Sequence, residues 1–149
     1  MDAPLTVLEF RCELGALPER VFASLTEADP LARWFCDQAA SHATPGGKLS
    51  LRWNGPGASD QAFEGRWVVY NPPVACAYEG GHAGYPDGYA GRVGFELAPL
   101  GGETMLIVRH RLPGRADYES IAERYRAAWP RALERLALYL RPAGSDLRA

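Results

Sequence analysis

Hydrophobic and polar positions alternate along several short stretches of this chain. Near its end they switch to a three-to-four-residue rhythm. From Leu5 to Leu14, Leu8, Phe10 and Cys12 fall on one side and Glu9, Arg11 and Glu13 on the other, the period-two pattern of a half-buried strand. Pro18 then stands where the first turn of a helix tolerates it, and Val21, Phe22 and Leu25 make a one-face stripe. A second helix start follows, with Asp29 as the expected N-cap, Pro30 in the first helical position, and Leu31, Trp34 and Phe35 behind it. After Pro45-Gly46-Gly47 the alternation resumes, with Leu49, Leu51 and Trp53 opposite Lys48, Ser50 and Arg52. The stretches Gln61–Tyr70, Val74–Glu79, Arg92–Leu97 and Thr104–Leu112 predict four more strands, six in all. Asn71-Pro72-Pro73 and Gly101-Gly102 separate neighbours, while Asn54–Asp60 and the glycine-rich Gly80–Gly91 read as loops.

The final helix spans about Asp117 to Arg141. Ile121, Tyr125, Trp129, Ala132, Leu133, Leu136 and Leu140 share its apolar stripe, with Glu123, Arg131 and Glu134 opposite. Pro130 falls toward the polar side, where the carbonyl of Arg126 that loses its donor can be hydrated, and a bend there is convex toward water. One bent helix is the preferred reading; two helices parted at Trp129 are the alternative. The sequence of elements is strand, two short helices, five strands, long helix. That order predicts an α+β fold: an antiparallel sheet with helices on one side.

Composition narrows the function more than it names it. The 149 residues suit one domain, with residues 142–149 expected to be a tail. The net charge of -2 and scattered arginines, with Lys48 the one lysine, argue against nucleic acid as partner. No stretch is apolar enough to insert in a membrane, and the first residues lack a signal peptide's basic and apolar regions, so a cytoplasmic setting is expected. Cys12, Cys36 and Cys76 are far apart, fit neither a disulfide framework nor a metal site, and read as small buried hydrophobes. No nucleophile motif, phosphate loop or metal cluster is present, so no cofactor, metal or catalytic residue is assigned.

The stretches LPERVFASLTEADPLARWF, PGGKLSLRW, FEGRWVVYNPP and VGFELAPLGGETMLIVRHRLP, followed by a tryptophan-containing last helix, occur in one order. In that order they resemble the bacterial proteins similar to the activator of heat-shock protein 90 ATPase. These belong to the START-like, birch-pollen-allergen-like superfamily. Leu17 departs from the pattern, since a capping Ser or Asp is common there. The resemblance implies a helix-grip fold, in which a curved sheet wraps the C-terminal helix and leaves a cavity between them. It implies binding of a small apolar or amphipathic molecule. Two other roles follow from relatives: a polyketide cyclase-like enzyme using the same cavity, and regulation of a chaperone ATPase. The eukaryotic activator's additional N-terminal domain has no counterpart in this sequence, which weighs against the last.

Strand parity puts His110 on the helix side of the sixth strand, and Arg109 and Arg111 on the water side. His110 then reads as a core histidine, a polar anchor for a ligand carbonyl, or a general base. Trp34, Trp53, Trp67, Tyr78, Phe95, Tyr125 and Trp129 join it as candidate cavity-lining residues, an aromatic wall with few polar groups. Glu64 and Glu79 are expected to be exposed carboxylates, and His42 and His82 solvated loop residues. Gly80–Gly91 reads as a lid or as an ordinary surface loop. Leu138, on the outer helix face, offers a contact for a homodimer.

Overall fold

A computed structural model of the chain describes residues 5–54, 62–82, 91–113 and 119–141. Its elements are β1 (Leu5–Leu14), α1 (Pro18–Thr26), α2 (Ala28–Trp34), β2 (Gln38–Ser41), β3 (Lys48–Arg52), β4 (Ala62–Asn71), β5 (Ala75–His82), β6 (Gly91–Leu100), β7 (Glu103–Pro113) and α3 (Glu119–Tyr139). The strands form one seven-stranded sheet in the order β1-β7-β6-β5-β4-β3-β2, antiparallel throughout. Strands β2 to β7 follow as a meander. The two short helices carry the chain from β1, at one edge, to β2, at the other. Open antiparallel sheet and C-terminal helix together make the α+β, helix-grip fold.

The expected six strands become seven, with β2 the addition. Its sequence, QAAS, has neither bulky side chains nor alternation, and it is a strand only because β3 offers an edge to pair with. The second helix also starts earlier than expected. Glu27, extended at ψ 146°, ends α1 and is the N-cap of α2, so Asp29 lies in the first turn instead of capping it. At α1 the cap is Leu17, which makes no side-chain cap bond. The loop expected over Gly80–Gly91 is shorter too. Gly80, Gly81 and His82 belong to β5 and Gly91 to β6, which leaves the lid reading to residues 83–90, outside the described residues. Gly80 and its partner Gly65 serve close packing: an added Cβ at Gly65 or Gly80 would strike the carbonyl of Glu79 or Glu64 on the neighbouring strand and also meet the Phe63 ring at 2.8 or 2.7 Å. Gly101 and Gly102, at φ 55° and 87°, occupy the left-handed region that the β6–β7 turn requires.

Helix α3 runs unbroken through Pro130, the preferred of the two readings. Pro130 is exposed, while Ile121, Trp129, Ala132, Leu133, Leu136 and Leu140 are buried. One inner row of the sheet, Leu8–His110–Val93–Tyr78–Trp67, crosses five strands in register. All five residues are buried, and the core lies between this face and the helices. After Trp67 an irregularity in the β4–β5 pairing at Val68 shifts the register by one. Among the described residues no helix is long and apolar enough to cross a membrane.

Candidate functional site

Alternation along β7 sends Thr104, Leu106, Val108, His110 and Leu112 inward, each at most 3% exposed. Arg109 faces the other way, bonded to Glu9 and Glu96. His110 is therefore an ionisable side chain held among apolar ones. Burial of such a group is costly without a partner, and α3 supplies one: the Trp129 indole Nε1–H donates to His110 Nδ1 at 2.9 Å. Indole nitrogen is a donor and never an acceptor, so Nδ1 must hold a lone pair. The neutral imidazole then carries its proton on Nε2.

The rings around this pair form a connected set. His110 lies 4.2 Å from the Tyr125 ring, and Phe95 meets Trp129 edge-on at 6.1 Å. Tyr78 continues the chain, 6.3 Å from Phe95 and 5.8 Å from Trp67. Trp53 and Trp34 do not touch His110 through any ring contact among the described residues. They join through Phe35, which stacks on Trp129 at 5.7 Å and contacts Trp53 at 5.4 Å and Trp34 at 4.8 Å. Trp34, Trp67, Tyr78, Phe95 and Trp129 are buried, whereas Phe35, Trp53 and Tyr125 are half-buried and form the water-facing margin. The other indoles are fixed as well: Trp34 donates to Ser24 O at 2.7 Å, Trp53 to Phe35 O at 2.6 Å and Trp67 to Ser41 Oγ at 3.1 Å.

Sequence reasoning missed Phe35 and Phe63. Phe35 looked like part of the α2 stripe, but it is the C-cap residue and leaves the helical path. Phe63 shares strand parity with Trp67 four residues on, a signal that was present, and its ring contacts Tyr78 at 5.1 Å. Glu64 and Glu79 point outward, to Ser50 and Arg92, as expected of exposed sheet carboxylates. His42 is exposed, in keeping with its reading, but His82 is a strand residue of β5 rather than a loop residue.

The cysteines are unpaired in disulfides, with Cys36 and Cys76 buried and Cys12 half-buried. Burial raises all three thiols: Cys12 and Cys36 to about 11, and Cys76 further still. None is poised as a nucleophile at neutral pH. Among the described residues no group of three or more His, Cys, Asp and Glu side chains could hold a metal ion.

Comparison with known proteins agrees with this architecture. The family described as Activator of Hsp90 ATPase homolog 1-like protein matches residues 16–141. No curated protein matches the chain. Among solved structures, protein MLL2253 from Mesorhizobium loti superposes with a TM-score of 0.77 at 16% identity, covering 91% of this chain and 96% of that one. CalU16 from Micromonospora echinospora gives 0.73 at 19% identity, covering 95% and 86%. The Aha1 dimer from Colwellia psychrerythraea gives 0.72 at 18% identity, covering 91% and 96%. At these identities the likeness is one of fold.

Proposed function

The chain belongs to the Activator of Hsp90 ATPase homolog 1-like family, and from that premise we propose that it binds a small hydrophobic molecule between the inner sheet face and α3. The observation that carries the reading is the Trp129–His110 bond at the centre of connected aromatic rings. Affinity would come mainly from apolar burial, about 25 cal/mol per Å². Trp34, Trp53, Trp67, Tyr78, Phe95, His110, Tyr125 and Trp129 are the proposed lining. Phe35, Trp53 and Tyr125, being half-buried, are the residues a ligand would meet first.

The tautomer favours an anchor over a base. A ligand carbonyl reaching Nε2 would meet a donor, because the lone pair sits on Nδ1 and is engaged by Trp129. General-base chemistry at His110 would first have to break that bond.

Mass spectrometry of freshly purified protein is expected to release a bound hydrophobe. An environment-sensitive apolar dye is expected to bind the native chain. Trp129→Ala and His110→Ala should each change dye affinity by about tenfold, equivalent to about 1.4 kcal/mol. Arg109→Ala, one residue away on the opposite strand face, should leave it unchanged. Absence of both hydrophobe and dye binding would reduce the aromatic set to core packing and overturn the proposal.

A further inference from the structure

We propose a second site, on the outer face of the sheet, where Arg92 and Arg111 together grip the carboxylate or phosphate group of a small molecule above Gly94 and Ala77. The arginines look scattered in sequence, but strand register gathers them. Lys48, Arg66, Glu79, Arg92 and Arg111 are successive partners across β3, β4, β5, β6 and β7, a row of four cations and one carboxylate. In a chain of net charge -2 this row reverses the local sign.

Arg92 and Arg111 stand directly opposite one another. Like charges in that relation weaken a sheet. Glu79 relieves only one of them, contacting Arg92 at 3.3 Å, and Arg111 makes no ion pair among the described residues. The next row is different. Arg109 is committed to Glu9 at 3.0 Å and Glu96 at 2.6 Å, which raises its pKa and leaves it a structural role.

Beside this unbalanced pair the surface sinks into a depression of about 150 Å³, lined by Arg92, Arg109, Arg111, Gly94 and Ala77 among others, with Glu96, already engaged by Arg109, the one carboxylate of its lining. Gly94 is not required there by the backbone. Its φ is not in the left-handed region, and an added Cβ would find its nearest neighbours at 3.9 Å. A glycine inside a strand costs stability, and what it provides here is room. Two guanidinium forks at the rim of an open hollow match the planar, multi-oxygen geometry of a carboxylate or phosphate.

The test titrates the full chain, labelled with nitrogen-15, with inorganic phosphate in one arm and succinate in another, at constant chloride. Saturable shifts are expected at the amides of Ala77 and Gly94 and at the Nε–H of Arg92 and Arg111, and the tighter anion identifies the group. Arg111→Gln should weaken binding about tenfold or more. Gly94→Val, which keeps every charge but fills the hollow, should do the same, while Arg131→Ala on α3 should not. Arg111→Glu should abolish binding yet raise the unfolding midpoint, because it turns a repulsive pair into an attractive one. Shifts that fail to saturate with either anion, or binding by Gly94→Val or Arg111→Gln equal to that of the unaltered chain, would mean diffuse attraction without a site and overturn the proposal.

Discussion

Trp129 and His110 are 19 residues apart, and no spacing rule joins them. Parity along β7 was enough to turn His110 inward, and the helical wheel was enough to put Trp129 on the buried stripe. That one indole would meet one imidazole nitrogen depends on how α3 docks, which no local pattern encodes. Trp129→Phe keeps an aromatic ring but leaves Nδ1 a buried acceptor without its donor. It should cost about 1–3 kcal/mol in chemical unfolding and change the nitrogen-15 shifts of the imidazole. A cost near zero would show that the bond contributes little. The thiols make a separate prediction at this scale. Their folded values lie above the ordinary 9.0, to about 11 for Cys12 and Cys36. Groups raised in this way contribute stability that is complete below the unfolded value and is lost as pH rises through the folded one. Unfolding midpoints should therefore fall between about pH 9 and about pH 11, and at about pH 8 a thiol reagent should label the native chain far more slowly than the unfolded one. Equal labelling rates would contradict the burial.

Element by element, the regions with strong periodicity were legible and those without it were not. Strands β1, β3 and β7 carry clean alternation, and α3 carries an apolar stripe that survives a proline. Strand β2 has four small or polar residues, so its identity comes from β3 rather than from itself. The end of β5 extends past the expected Glu79 to His82 for a related reason. Gly80 and Gly81 signal a turn locally, but the Phe63 ring lying over Gly65 and Gly80 is a tertiary demand for the same residue type. At α3, Pro130 is exposed and the helix is continuous around it. Pro130→Ala restores a donor to the carbonyl of Arg126 and removes a clash, against a small gain in unfolded-chain entropy. It should leave stability unchanged or modestly higher. A loss above about 2 kcal/mol in denaturant unfolding would show that packing on the sheet needs the proline.

At the scale of the whole molecule, one edge of the open sheet is completed by its least local contact. Strand β1 pairs with β7 from Leu5↔Pro113 to Leu14↔Thr104, so the first strand is held by the last of the seven described strands. Contacts of this separation make folding slow, on the order of milliseconds to seconds. Protection against hydrogen exchange should be greatest in β6 and β7, paired on both sides, and least in β2, a four-residue edge. Protection of β2 matching that of β7 would require an unseen neighbour on its free side. The helix-grip outline could be read in advance because the order of elements permits few closures, and the family resemblance singled out one. The aromatic set was readable as composition, but its partition was not: Trp34 and Trp67 lie deep in packing, while Phe35 and Trp53 lie at the margin. The β1–β7 seam has a further consequence. Gly15, exposed and with nothing near its missing side chain, links β1 to the remainder of the chain and is a natural place to cut. Severed there, residues 16–149 would present the unpaired edge of β7 and an unfilled groove for Leu8 and Leu14, and the excised strand would be their complement. The chain is in this sense a receptor and its own tethered peptide, joined covalently, and splitting it would convert folding into a titratable two-piece assembly.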